Sequence, residues 1–156
     1  MFAAAAPVEF PPWARPSATQ RRIGFERYSN KVLVADGTAW QTLWEDTGWV
    51  DMNPDWGTFW EKVATCSARR RNSTVSFGVQ LERKGALSRS DPDGSRLVTL
   101  PSGMRPVHHV VYGVGQFTSG VSGRIVVRGD GSVTVDRLSG NLGGGEHLRF
   151  DLTFLI

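Results

Sequence analysis

The sequence predicts an all-β protein, an antiparallel sandwich or barrel, and three observations carry that prediction. Residues 74–82 alternate without a fault, with Val75, Phe77, Val79 and Leu81 on one side and Thr74, Ser76, Gln80 and Glu82 on the other. The same period of two returns in Leu148, Phe150, Leu152, Phe154 and Ile156, separated by Arg149, Asp151 and Thr153. Eighteen glycines among 156 residues supply many turns, and no stretch carries a convincing helical period. Short strands at even spacing, without helices between them, are the pattern of a sandwich or barrel.

In chain order, residues 1–18 read as an extended arm, because Pro7, Pro11, Pro12 and Pro16 fix φ and remove backbone donors. Its apolar Phe10 and Trp13 imply that the arm lies against this chain or a partner. Residues 19–46 form a small hairpin neck: a strand over 22–27, a turn at Ser29-Asn30, a strand over 31–34, the hairpin signal Asp36-Gly37, and a third strand over 39–44. Three short strands bury little alone, so this unit is expected to dock against other copies. Residues 47–156 form the larger sheet domain. There the sequence predicts a turn at Asn53-Pro54-Asp55, strands over 63–70 and 74–82 around a turn at 71–73, and a strand over 97–100 ended by Pro101-Ser102-Gly103. Residues 107–114, apolar on both faces, read as a central strand; 124–128 and 132–137 flank the turn Gly129-Asp130-Gly131; 140–145 reads as a flexible loop; the last strand runs to Ile156. Burying the four apolar side chains of 74–82 contributes roughly 1.5–3 kcal/mol each.

Composition narrows the classes of function. The net charge of +3 comes from dispersed arginines with one cluster, Arg69-Arg70-Arg71, which is too little to argue for nucleic acid. Cys66 is the single cysteine, so an intrachain disulfide and a cysteine-based zinc site are both excluded. No apolar run reaches the roughly 18–20 residues that span a bilayer, so no membrane insertion is expected. The opening Met1-Phe2 and its alanines lack a basic region and a sustained apolar region, so synthesis in a cytoplasm without a secretory leader is the expectation.

Two stretches resemble a known family. Residues 29–40, from Ser29-Asn30-Lys31 through Val34 and Asp36-Gly37-Thr38-Ala39-Trp40, resemble the hairpin T-N-K-x-x-V-Y-D-G-T-A-W of bacteriophage tail fibres and minor tail proteins. The second begins at Asp46-Thr47-Gly48-Trp49 and runs through Arg69, Arg70, Asn72 and Val75 to Leu100-Pro101-Ser102-Gly103-Met104-Arg105-Pro106. It ends with Arg124, Ile125, Val127 and Asp130-Gly131-Ser132-Val133. This order is similar to the C-terminal receptor-binding head domains of tailed-phage fibres. Together the stretches cover residues 19–156. The resemblance implies a jelly-roll-like β-sandwich head, a homotrimer, and an N-terminal arm held by other phage tail proteins; the chain has none of the long shaft common in the family. In physical terms Leu100 to Pro106 is a corner between strands, with Arg105 placed to pin it to a carboxylate or a backbone carbonyl.

Candidate sites follow from the same reading. No catalytic arrangement stands out: G-x-S-x-G and H-E-x-x-H are absent, and Cys66 within a strand reads as a buried, inert thiol. Glu61 and Glu82 are a formal carboxylate pair of the kind any β protein offers. His108 and His109, read as strand neighbours, point to opposite faces and cannot share a metal. Asp91-Pro92-Asp93-Gly94 lacks the later acid of a calcium loop and reads as a turn. No metal or cofactor is expected. Receptor contact is assigned to Trp56, Trp60, Arg70, Arg71 and Tyr112: rings near loops stack on sugars, and clustered arginines offer charge-assisted bonds to an anionic cell-wall polymer. Trp40, Trp44 and Trp49 read as interchain packing.

The function expected is therefore a virion structural protein, a short trimeric tail fibre or tail-tip protein whose head attaches to a host-surface saccharide. A secreted-type carbohydrate-binding module, a glycan depolymerase fragment, and a tail-tip component without receptor contact are the competing readings. Sizing separates trimer from monomeric module, and a cleavage assay tests the depolymerase.

Overall fold

The computed structural model describes residues 23–27, 30–35, 39–54, 59–88 and 96–156. The chain divides between Gly48 and Trp49 into two compact units. The expected arm over 1–18, the Asp36-Gly37 turn and the Asp91–Gly94 turn lie outside the described residues.

The first unit holds a three-stranded antiparallel sheet in sequence order, β1 (Ile23–Glu26), β2 (Lys31–Ala35) and β3 (Trp40–Glu45). Asn30 turns the chain at φ 50°, a left-handed conformation that asparagine tolerates. Lys31 and Glu45 are directly paired across β2 and β3 and their charges meet at 3.4 Å. Ile23, Leu43 and Trp44 remain exposed.

The second unit is one eight-stranded sheet. Its strands are β4 (Val50–Asp51), β5 (Trp60–Arg71), β6 (Thr74–Arg83), β7 (Arg96–Thr99), β8 (Val111–Phe117), β9 (Ser122–Val127), β10 (Ser132–Asp136) and β11 (His147–Leu155). They hydrogen-bond in the order β4-β5-β6-β11-β8-β9-β10-β7, every pair antiparallel. The all-β antiparallel expectation holds. One continuous sheet makes both layers: it curls over a single core, and its two ends meet where Pro54 bridges Val98 of β7.

Alternation decides what that core contains. Val75, Phe77, Val79 and Leu81 of β6 are buried, as are Leu148, Phe150 and Phe154 of β11. Phe77 sits edge-on to both Phe150 and Phe154, with ring centres 5.7 and 6.2 Å away. Such geometry adds to the area each ring buries. β11 pairs with β8 only at Leu148–Phe117 and Arg149–Gln116. Beyond that point β8 brings Gly113 and Gly115 so close to Leu152 and Leu148 that a methyl group would lie 2.7 Å from either side chain. Glycine at both lets the leucine side chains lie directly against the β8 backbone, and a larger residue would make those leucines shift.

The Leu100–Pro106 corner folds as its residues dictate. Ser102–Met104 makes a single 3₁₀ turn, Met104 is buried, and the Arg105 Nε donates to the Leu100 carbonyl at 3.0 Å. Three sequence expectations need correction. The strand read over 107–114 begins only at Val111; residues 107–110 are irregular and exposed, with His108 and His109 in solvent. A proline at 106 stops extended pairing just where the apolar run starts, so hydrophobicity there was mistaken for burial. The 140–145 loop is tied down: Leu142 and Leu87 exchange two backbone hydrogen bonds, and the Gly145 amide donates to the Arg83 carbonyl. Finally, the strand expected over 63–70 starts earlier, at Trp60, with an irregular register between Lys62 and Cys66.

Candidate functional site

The receptor residues assigned from sequence do not gather in one place. Trp56 lies outside the described residues. Trp60 is 5% exposed, so its ring offers no platform to a ligand; it packs with Phe117 at 6.1 Å between ring centres and beneath the Arg83 guanidinium at 5.1 Å. Arg83 occupies the next core-facing position of β6 after Leu81 and is itself buried. It is held between Phe59 and Trp60, donates from Nε to the Gly85 carbonyl at 2.9 Å, and its burial lowers its pKa. Trp60 therefore belongs to a structural cation–π stack.

Arg70 and Arg71 separate because neighbours on a strand face opposite ways. Arg70 turns to the hairpin end, where Nε donates to the Asn72 carbonyl and Nη1 to the Gly103 carbonyl, both at 2.9 Å. It ties the β5–β6 turn to the 3₁₀ corner. Arg71 faces outward with Arg69, and the cross-strand register places them beside Thr74 and Ser76 of β6.

This outward row borders a recess on the head. An open cleft of about 330 Å³ is lined by Trp49, Arg69, Arg71, Thr74 and Ser76, a size within the range of small-ligand sites. Trp49 is 60% exposed, and the Arg69 guanidinium lies 6.0 Å from its ring centre. The Ser76 and Thr153 hydroxyls hydrogen-bond at 3.0 Å, which orients the Ser76 side chain. Sequence reasoning missed Trp49, Arg69, Thr74 and Ser76 as a group. Parity alone puts Arg69 with Arg71 on one face of β5 and Thr74 with Ser76 on one face of β6; the pairing of 50 with 68, which brings Trp49 in, is seen only in the structure.

Tyr112 stands elsewhere, on β8, three strands from β5 in the hydrogen-bonded order. It is 59% exposed, with the Arg124 guanidinium 5.1 Å from its ring centre. Arg124 forks onto Asp136 across β9 and β10, Nε to Oδ1 at 2.7 Å and Nη2 to Oδ2 at 2.5 Å. Those charge-assisted bonds hold the Asp136 carboxyl below its ordinary range. Hydrogen bonds from Ser132 lower Asp130, and one from Thr118 lowers Glu146. A carboxylate with a depressed folded pKa contributes stability above its unfolded pKa and loses it as pH falls through the folded value. The unfolding midpoint is therefore expected to drop as pH is lowered below about 4. Asp136→Asn is expected to lower the midpoint at pH 7 and to flatten its fall between pH 5 and pH 2, roughly the span over which such carboxylates titrate; thermal melts across that range check both.

The remaining chemistry-bearing groups are scattered. Burial pushes the Cys66 thiol up to about 11, which removes its thiolate at neutral pH. Among the described residues, no three of His, Cys, Asp or Glu converge as a metal-binding group would. No helix among them is long and apolar enough to cross a membrane.

No family model matches this chain, and no curated protein does. Among solved structures, the head domain of the lactococcal phage bIL170, a receptor-binding domain, is similar in fold. The match has a TM-score of 0.52 and 16% identity, and covers 69% of this chain and 96% of the other. The likeness is one of fold: this chain's antiparallel β architecture is similar to that of the bIL170 head domain.

Proposed function

We propose that this chain is a virion structural protein of a bacteriophage tail, a short trimeric fibre or tail-tip protein whose head attaches to saccharide on the host surface. Its likeness in fold to the bIL170 head domain carries this reading. The outward cleft supports it, since an exposed indole beside hydroxyls and guanidinium groups is a surface suited to sugar rings. Arg71 keeps a receptor role here, joined by Trp49; Tyr112 forms a separate exposed platform. The exposed Ile23, Leu43 and Trp44 of the first unit are the surfaces expected to pack between copies. The N-terminal arm is the segment that other tail proteins would hold, and synthesis precedes assembly in the host cytoplasm.

Two measurements test this. Light scattering of the purified chain is expected to give three copies; a stable single copy would contradict the trimeric fibre. Fluorescently labelled protein is expected to decorate intact host cells and to be displaced by their isolated surface polysaccharide. Labelling that survives removal of the polysaccharide would contradict the saccharide reading.

A further inference from the structure

Residues 106–123 contain no Asp, Glu, Lys or Arg, although such residues make up 21% of the chain, so the gap in charge is local. Within this run Val107, Val110, Tyr112 and Val114 stand in solvent, Val114 at 69%. Tyr112 and Val114 occupy alternate positions of β8 and so share its outer face, and Gln116 continues the row. Their cross-strand neighbours on β9 are Val126, Arg124 and Ser122. Arg124 brings a charge to this face, and Asp136 neutralises it through the two-pronged bond described above. The stripe itself is left apolar and without net charge.

We propose that this stripe packs against the head of a second copy of the chain, with Val107, Val110, Tyr112 and Val114 at the centre of the contact. The inference rests on the trimeric reading above and adds to it the surface through which the heads meet. Charge selects the occupant. A surface bearing charges of one sign repels its own copy, whereas this one can lie against an identical chain without that cost. Its composition is also that of an interface centre, depleted in charge and built on tyrosine and apolar side chains. A glycan is matched less well: a sugar needs rings to stack on and paired hydrogen bonds, and three of the four side chains are valines, which supply neither. In a closed ring of identical chains, one such stripe per head supplies one side of every contact. Covering it takes apolar surface out of water, which favours association. Tyr112 then serves assembly rather than attachment.

The test is photo-crosslinking of the intact chain from the rim of the stripe. Gln116→Cys, at the next exposed position of β8, is labelled with a benzophenone maleimide. Cys66 does not compete, because it is buried and its thiol is pushed up to about 11. Irradiation is expected to give a product of twice the chain's mass. Tyr112→Glu with Val114→Glu in the same background places unpaired charge in the contact and is expected to lower the yield of that product by about tenfold or more. Both side chains are exposed, and an unchanged far-ultraviolet spectrum verifies the fold. Three copies by light scattering with no interchain product, or with one that survives the double variant, would overturn the inference and leave the trimeric reading standing. A crosslink confined within one chain would also overturn it, since a segment of the same chain would then cover the stripe. A single copy at every concentration would overturn the trimer and this inference together.

Discussion

Replacing Phe77 by alanine is expected to destabilise the head by about 3–5 kcal/mol, the range for deleting a buried aromatic ring. Phe77 is 2% exposed and stands midway along β6, where Phe150 and Phe154 both present ring edges to it. Alanine removes the buried area, leaves a void that rigid strands on either side cannot close, and strips both neighbours of their aromatic partner. Domains of this size are stable by only about 5–15 kcal/mol, so the loss is a large part of the total. Equilibrium denaturation in urea reads it as a fall in midpoint at unchanged slope. Phe77→Leu, which keeps most of the volume, is expected to cost less than half as much. A cost for the alanine variant below about 1 kcal/mol would mean that the sheet does not close over this ring.

The second large effect is expected at Gly131, in the turn between β9 and β10. Its φ is 87°, and a methyl group there would lie 2.9 Å from the Leu100 carbonyl oxygen and 2.6 Å from the Arg105 Nε. Gly131→Val therefore meets two obstacles. A β-branched residue in left-handed backbone costs roughly 1–2 kcal/mol. Displacing Arg105 breaks its bond to Leu100, the contact that pins the corner, for about another 1 kcal/mol. The Leu100 amide also donates to the Gly131 carbonyl, so β7 is disturbed along with the turn. A total loss of about 2–4 kcal/mol is expected from those terms. Arg105→Ala alone is expected to cost less, because it relieves the crowding as it removes the pin. Unfolding curves of the two variants, side by side, check the order; a larger loss for the arginine variant would contradict this account of the corner.

Much of this fold was legible because alternation is a statement about burial. The period in 74–82 and 148–156 named the core side chains of β6 and β11 correctly, and both strands pair along nearly their whole length. Proline and glycine placed the Leu100–Pro106 corner, and the need for something to hold it identified Arg105. Legibility failed where composition stood in for geometry. Residues 107–110 are irregular, and the apolar Val107 and Val110 face solvent. Trp60 was read by its ring chemistry, although it continues a core-facing position and is covered by Phe117 and Arg83. The strand parity applied to His108 and His109 applies in fact to Arg70 and Arg71, which part company for that reason. The partner of Arg71 in the cleft is Arg69, and Trp49 comes beside Arg69 only through cross-strand register, which a single sequence does not display.

Adsorption competition puts the attachment role most directly at risk. Bacteria of the host strain, incubated with excess purified chain and then exposed to the phage, are predicted to adsorb few particles, while the Trp49→Ala, Arg71→Gln double variant at equal concentration leaves adsorption near its uninhibited level. Full adsorption in the presence of the unaltered chain would contradict the account.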